Sequence, residues 1–241
     1  MRPLFFALSY LSLAGCIASG TPIGARVALD EAAYRPFVRS GPATPVPSAP
    51  AETAAALAVK PGARERVIEK ARALVGQKKV VVDGRGFPND CTGLIKGVFA
   101  QEGLDLSVLA EPGDNGVSAI WRFAQAKGRT YKGGHPVPGD LVFFTETYDK
   151  NRDGSRNDGL THVGLVDALE PDGTVLIIHR VARGVVRYRM NLEQPDTASS
   201  GGRVINDWLR SAEKGQRPQL TSQLFYGYAT LLPVEPRYAT R

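Results

Sequence analysis

One cysteine and two histidines are the side chains in this sequence best suited to covalent chemistry. Cys91 opens a segment whose apolar residues recur at helical spacing, and Asn89 or Asp90 before it is a suitable cap, so we expect the thiol at a helix N-terminus. The free N–H groups and the dipole there favour an anion, which favours a thiolate near neutral pH. The same N–H groups could receive the oxyanion of a tetrahedral intermediate.

A nucleophilic thiol needs a base to carry its proton and a third group to orient that base. The chain has three histidines. His135 lies in a Gly-Pro loop and is expected at the surface, whereas His162 opens a predicted strand and His179 ends the next one. If the turn between these strands pairs Leu169 with Thr174, the two strand imidazoles project from the same face. A slip of one residue would turn His179 to the other face.

Each of these residues also has an ordinary structural explanation when taken alone. A buried cysteine is often a small core residue, and a strand histidine is often only hydrogen-bonded. The isolated residues therefore leave catalysis and a structural role open.

The composition favours one globular domain with extensions. The sequence has 241 residues, of which 43% are hydrophobic and 22% are charged, and these values are ordinary for a chain with a real core. The net charge of +6 is spread along the chain without a recognisable nucleic-acid module. We therefore expect a mildly basic surface, a monomer and no nucleic-acid partner.

The periodicity of apolar residues predicts helices first and an antiparallel sheet afterwards. This order is typical of an α+β domain. The predicted helices cover residues 63–75, 91–101 and 117–126, and the predicted strands cover residues 140–144, 161–169, 175–181, 184–190 and 225–232.

The N-terminal residues resemble an export signal. Arg2 precedes a short apolar run that ends in Leu13-Ala14-Gly15-Cys16, which is similar to a bacterial lipobox. This resemblance implies a signal peptide over residues 1–15, a lipid on the Cys16 sulfur and an envelope location, in the outer membrane if the cell is Gram-negative. The Ala/Pro-rich residues 16–61 then form a tether, residues 62–235 the domain and residues 236–241 a tail.

The cysteine count is consistent with this interpretation. The sequence contains only Cys16 and Cys91. An acylated Cys16 would leave Cys91 without a partner, and a lone thiol in an exported protein is a liability unless it performs chemistry. A disulfide between the two cysteines is the alternative.

Several motifs in order resemble the NlpC/P60 family of cell-wall peptidases and the related CHAP amidases. The motifs are residues 67–76, Asp-Cys-Thr-Gly-Leu at 90–94, Pro-Gly-Asp at 138–140, His-Val-Gly-Leu-Val at 162–166, and Ile-His at 178–179. The resemblance covers about residues 63–190. It implies a papain-like fold and hydrolysis of peptide or amide bonds in peptidoglycan, with Cys91 as nucleophile, His162 as base and His179 as the polar third member.

Two positions depart from the family pattern on the substrate-facing side. The loop at residues 79–86 lacks the usual Tyr and Gly pair, and Thr92 replaces the Ser after the cysteine. The identity of the bond that is cleaved is therefore not determined by the resemblance. An inactive module that only binds peptidoglycan, and a CHAP-type amidase with another substrate, are the alternatives to a wall peptidase acting on stem peptides.

A polar loop before His162 has the spacing of a calcium loop. Its first, third, fifth and sixth positions are Asp, Asn, Asp and Gly, although the Glu expected at the twelfth position is replaced by Leu160. A polar hairpin without metal is the alternative, because Asp, Asn and Gly favour turns in any case. The predicted oxygen ligands are Asp149, Asn151, Asp153, Ser155 and Asp158, with Asn157 as an alternative to Asp158.

The lipid anchor is tested by the change Cys16→Ser. The variant should leave the membrane fraction and lose labelling by a fatty-acid analogue, because each buried CH₂ of an acyl chain contributes about 0.8 kcal/mol of membrane affinity. Membrane association and labelling equal to those of the unaltered protein would exclude the anchor.

Overall fold

The computed structural model describes residues 57, 59–212 and 217–239. The signal peptide, Cys16 and most of the tether lie outside these residues. The helices are α1 (Ala63–Leu74), α2 (Cys91–Ala100), α3 (Gly116–Lys127) and α4 (Pro236–Ala239), with a 3₁₀ turn at Ser222–Leu224. The first three helices match the predicted ones to within one or two residues at each end.

The described residues contain twelve strands, some long and others in short two-stranded pairs. The five predicted strands are present with small shifts at their ends, and two of them have the predicted bounds. The strands are β1 (Val81–Val82), β2 (Arg85–Gly86), β3 (Arg129–Tyr131), β4 (Leu141–Thr145), β5 (Leu160–Leu169), β6 (Val175–Val181), β7 (Gly184–Met190), β8 (Ser199–Ser200), β9 (Arg203–Val204), β10 (Trp208–Arg210), β11 (Gln219–Leu220) and β12 (Phe225–Thr230).

The main sheet has six strands in the order β3-β12-β4-β5-β6-β7, and every neighbouring pair is antiparallel. One face packs against α1, α2 and α3 through residues such as Leu94, Phe143 and Val163. The other face carries a second apolar cluster that includes Phe144 and Ile177 and is covered by residues from the segment after β7. The α+β class is therefore confirmed, with the N-terminal helices packed on an antiparallel sheet.

A buried ion pair joins the start of α1 to the Pro-Gly-Asp motif. Arg64 Nη1 lies 3.0 Å from Asp140 Oδ1, and both side chains are almost fully buried. The guanidinium group also donates to the carbonyl oxygens of Pro138, Leu232 and Pro233. The helix, the β4 entry and the residues after β12 are thus held by one side chain, which gives the motif a structural role.

A bulge sets the register between β5 and β6. Next to the turn Leu169 pairs with Val175, one residue beyond the predicted partner Thr174, so the predicted turn pairing is wrong. The register shifts between Val166 and Ala168, and from there Leu165 pairs with Ile178. The extra residue in β5 therefore restores the predicted register at the far ends of both strands, where the histidines lie.

Asp167 occupies the bulge and is held by two arginines. Its side chain is 3% exposed, and its carboxylate accepts from Arg72 Nε of α1 at 2.5 Å and from Arg187 Nε of β7 at 2.6 Å. The main-chain carbonyl of Asp167 accepts a further bond from Arg72. Because the two arginines come from a helix and from another strand, the bulge is fixed by tertiary contacts that a local sequence pattern does not reveal.

The change Asp167→Ala should lower the free energy of unfolding by about 2 kcal/mol. The loss falls below that of a fully buried ion pair because both arginines are partly exposed. Urea unfolding measures the effect, and Asp196→Ala at an exposed position is the control that should leave stability within about 0.5 kcal/mol. Equal stability of both variants would show that the two arginines do not hold the bulge.

Candidate active site

Cys91 lies at the first residue of α2, as the sequence predicts. Asp90 is the N-cap residue, and its side chain accepts from the Gly93 N–H at 2.7 Å and from the Thr92 hydroxyl at 2.8 Å. Gly93 is required because an added Cβ would lie 1.9 Å from the carbonyl oxygen of Pro88. The Asp-Cys-Thr-Gly motif therefore caps the helix and lets the preceding loop cross its first turn.

The two strand histidines are in direct contact. His162 Nε2 lies 2.8 Å from His179 Nδ1, and the ring planes are nearly perpendicular. Gly164 lies on the same face of the sheet as the two histidines. A Cβ added to Gly164 would lie 2.5 Å from Ile177 Cγ2 and 3.3 Å from His179 Cβ. The absence of a side chain at this glycine allows β5 and β6 to bring the imidazoles together.

Cys91 and His162 line one cleft of about 740 Å³. The cleft is bounded by the start of α2, the start of α3, the beginning of β5 and the end of β6. His179 lies behind His162 and is 1% exposed. Because the Nε2 atom of His162 faces His179, the Nδ1 atom is the ring nitrogen left to exchange a proton with the thiol.

Burial decides the resting charges of these three residues. Loss of hydration raises the pKa of the Cys91 thiol to about 11, although hydrogen bonds from the main chain of Val163 and Thr92 act in the opposite direction. Burial also lowers the pKa of His162 to about 4, against the opposing effect of the Asp90 charge. The expectation of a resting thiolate is therefore not met, because desolvation outweighs the helix N-terminus.

The third histidine is also neutral. Burial lowers the pKa of His179 well below its usual value, and the positive charges of protonated His162 and of Arg183 act in the same direction. Its Nε2 atom is buried and has no hydrogen-bond partner among the described residues, and its ring lies 4.4 Å from the ring of Tyr188. A neutral His179 can accept the His162 Nε2–H at Nδ1, in which case its own proton resides on Nε2 beside the aromatic ring.

Polar contacts around the beginning of β5 fix the position of His162. The Asn115 side chain caps α3 and donates from Nδ2 to the carbonyl of Leu160 at 2.9 Å. The Thr161 hydroxyl accepts from the Thr147 N–H and bonds its hydroxyl. Sequence reasoning missed these residues, although a capping Asn before a predicted helix was a usable signal for Asn115.

The far wall of the cleft also contains side chains that the sequence analysis did not select. They come from the end of β6, the turn between β6 and β7, β7 itself and the short strand β10. The residues are Arg180, Arg183, Tyr188 and Trp208. Tyr148 also lines the cleft. Burial raises the pKa of its hydroxyl, and the negative forms of Cys91 and Asp158 act in the same direction.

The loop predicted to bind calcium is held by its own hydrogen bonds. Asp149 accepts from the Gly154 N–H, Asp158 from the Lys150 N–H, and Asp153 from the Ser155 N–H. Asn151 and Asn157 each donate a side-chain amide to Asp153. Within the described ranges, no group of three or more His, Cys, Asp or Glu side chains is placed to hold a metal. Calcium binding therefore stays a prediction that needs the amide and main-chain oxygens of this loop.

The other histidine lies away from the cleft. His135 is exposed, as expected, and lines a separate cavity beside α1.

Cys91 is the free cysteine of the described part of the chain, and the Cys16 prediction lies outside that part. None of the helices in the described residues has both the length and the apolar character needed to cross a bilayer.

Residues 82–180 match the family model of the CHAP domain. This segment contains Cys91, His162 and His179, and the match agrees with the NlpC/P60 and CHAP group that the sequence motifs resemble. The helices packed on an antiparallel sheet give this segment the predicted α+β architecture. No curated protein matches the chain.

Solved structures show a distant likeness. The chain is similar to Ly7917, with 14% identity and a TM-score of 0.42, and to Ly7917 with the hydrolyzing product of MDP, with 15% identity and a TM-score of 0.43. Each match covers 70% of this chain and 62% of that chain. A protein described as similar to lipoprotein, NLP/P60 family, from Staphylococcus aureus subsp. aureus Mu50 has 18% identity and a TM-score of 0.37 over 73% of this chain and 43% of that chain.

The buried histidines should make stability depend on pH below neutrality. Their pKa values in the folded protein lie below the unfolded value near 6.5, so the unfolded chain binds more protons between pH 6.5 and about 4. The free energy of unfolding should therefore be highest above pH 6.5 and should fall as the pH decreases towards 4. The His162 shift alone corresponds to about 3 kcal/mol.

Thermal melting across this pH range tests the assignment. His179→Asn should flatten the slope of Tm against pH, whereas His135→Gln, at an exposed position, should leave the slope unchanged. An unaltered slope in His179→Asn would contradict the buried neutral pair.

The calcium prediction is tested by melting the protein in calcium and in chelator. A ligand that binds only the folded state stabilises it by about 2.7 kcal/mol at 100 times its Kd, so calcium should raise Tm. Asp153→Asn should abolish the rise, while magnesium serves as a control cation. Identical melting curves in calcium and chelator would identify the loop as a polar hairpin without metal.

Proposed function

We propose that the protein is a cysteine-dependent peptidase or amidase that hydrolyses peptide bonds in peptidoglycan. The observation that carries this proposal is the arrangement of one buried thiol at a helix N-terminus and one imidazole in the same cleft, with a second imidazole 2.8 Å behind the first. The CHAP-type segment contains all three residues. A structural cysteine would not require a cleft or a hydrogen-bonded pair of histidines.

The first half-reaction forms a thioester. As the substrate carbonyl enters the cleft, the Cys91 proton passes to His162 Nδ1 and the sulfur attacks the carbonyl carbon. The carbonyl electron pair moves to oxygen, and N–H groups at the start of α2 are the donors for this oxyanion. When the tetrahedral intermediate collapses, the C–N bond breaks and the leaving amine takes the proton from His162.

The second half-reaction releases the acyl group. His162 takes a proton from water, the resulting hydroxide attacks the thioester carbon, and the C–S bond breaks. The carboxylic acid leaves, and the proton on His162 returns to the sulfur. Because the pKa of His162 is about 4, the imidazole stays neutral and able to accept a proton at neutral pH.

His179 acts by positioning in this scheme. Its neutral ring accepts the His162 Nε2–H and fixes the tautomer that leaves Nδ1 free for the thiol. A neutral acceptor stabilises an imidazolium less than a carboxylate does, so the charge of Asp90, which raises the pKa of His162, supplies part of that stabilisation. Asp90 therefore has a second role besides capping α2.

The N-terminal motif supports an exported, lipid-anchored protein as a further part of the proposal. A lipid on Cys16 and an extended segment after it would hold the catalytic domain close to the envelope and within reach of peptidoglycan. The proposed scissile bond is a peptide or amide bond of the cell wall.

Cys91→Ala should reduce hydrolysis by at least about 10⁴-fold while the melting temperature stays close to that of the unaltered protein. His162→Ala should be nearly as damaging, because members of one catalytic unit fail together. His179→Ala should retain more activity, since water can replace part of an orienting contact. Mass analysis of peptidoglycan fragments after incubation measures all three variants and identifies the bond.

Two results would overturn the proposal. Fragments released equally by Cys91→Ala and by the unaltered protein would exclude the thiol as nucleophile. Retention on insoluble peptidoglycan without release of any fragment would instead support the alternative of an inactive binding module.

A further inference from the structure

Two arginines on the wall of the cleft form no ion pair with a carboxylate of the described residues. Several arginines elsewhere in the described part of the fold form ion pairs with carboxylates, such as Arg64, Arg72 and Arg187. Arg180 and Arg183 take part in none of these pairs, and both line the cleft that contains Cys91 and His162. Their positive charges therefore face a substrate site without neutralisation from the described part of the protein.

Arg183 is held in place by Tyr188, and this contact uses only some of the N–H donors of its guanidinium group. Its Nη2 atom donates to the Tyr188 hydroxyl at 3.1 Å, and its guanidinium carbon lies 5.3 Å from the centre of that ring. A guanidinium has five N–H donors in a fixed planar fork, and the phenol uses one of them. Because the Tyr188 ring also contacts His179, this arginine is linked to the catalytic residues by a single side chain.

Arg180 also has more N–H donors than hydrogen-bond partners among the described residues. Its two terminal nitrogens donate to the main-chain carbonyls of Val181 and Lys78, while its Nε atom is buried without a partner. Main-chain carbonyls fix the position of the guanidinium group but leave its positive charge in place. A buried donor without a partner costs free energy unless a ligand satisfies it.

The cleft is therefore electrically asymmetric. Asp90 lies beside the nucleophile, and it is the acidic residue among the cleft-lining side chains of the described chain. The two arginines belong to the end of β6 and the turn that follows it. Planar guanidinium groups bind carboxylates through paired hydrogen bonds, which gives them both affinity and geometric selectivity.

We propose that Arg183 and Arg180 form a carboxylate-binding subsite, so that the substrate is a peptide with a free carboxylate next to the scissile bond. This inference rests on the proposed function and adds the substrate class to it. Peptidoglycan stem peptides offer such a carboxylate on a γ-linked glutamate or on a diamino acid, and amidation of either group removes the charge with little change in shape.

The test measures binding to the full-length Cys91→Ala protein by calorimetry. The probes are a synthetic stem tetrapeptide with both side carboxylates free and two counterparts, each amidated at one position. The free peptide should bind about tenfold or more tightly than one of the amides, and that amide identifies the recognised carboxylate. Equal binding of all three peptides, or binding of none, would overturn the subsite.

A second substitution separates recognition from structural damage. Adding Arg183→Gln should bring the ratio between free and amidated peptide close to one, because damage to the fold would weaken both peptides alike. Arg85→Gln makes the same charge change outside the cleft and should preserve the ratio. A ratio that survives in Arg183→Gln would overturn the role of Arg183.

The unaltered protein distinguishes this inference from the proposed function. Cleavage of the free and amidated peptides at equal kcat/KM would retain the hydrolase and exclude the subsite. Selective binding of the free peptide with no cleavage of any probe would retain the subsite and exclude the hydrolase.

Discussion

Strands β5 and β6 leave their turn in a register that would separate the two histidines. Continued without interruption, the pairing of Leu169 with Val175 would place His179 opposite Leu165, and the two imidazoles would lie on opposite faces of the sheet. The bulge at Asp167 adds one residue to β5 and reverses this outcome. Every later feature of the site depends on that correction, since the His162–His179 hydrogen bond exists only if both rings share a face. The salt bridges of Asp167 with α1 and β7 therefore connect packing far from the cleft to the geometry of the base.

Burial is the second constraint on the site. The helix N-terminus and nearby N–H groups favour a thiolate, yet desolvation is larger and raises the pKa of Cys91 to about 11. It also keeps both imidazoles neutral. A neutral resting pair protects a lone thiol from indiscriminate reaction, because the thiolate is the reactive form. In the proposed reaction, proton transfer to His162 therefore accompanies attack on the substrate instead of preceding it. The positive charge of Arg183 adds to burial in disfavouring protonation of His179.

The helices, most of the main sheet and the proximity of Cys91, His162 and His179 could be predicted from the sequence. Apolar periodicity gave the spacing of α1, α2 and α3, and the His-Val-Gly and Ile-His motifs indicated neighbouring strands. The turn register was mispredicted because a bulge held by Arg72 and Arg187 has no local signature. Strand β3 was missed because three residues are too few for a periodic pattern. Tyr188 and Arg183 could not be selected, since only the paired strands β6 and β7 bring their side chains beside His179. The resting charge of Cys91 also depended on three-dimensional burial, which spacing along the chain does not show.

The central claim is that hydrolysis proceeds through a thioester on Cys91. Partitioning of this intermediate tests the claim directly. The protein is incubated with a stem peptide in the presence of hydroxylamine, and products and acid-quenched protein are analysed by mass spectrometry. A thioester at Cys91 predicts a hydroxamate of the acyl fragment, in proportion to the hydroxylamine concentration, and an acyl adduct on the peptide that contains Cys91. Turnover that yields only the free carboxylate at every hydroxylamine concentration, or an adduct on another residue, would contradict the account.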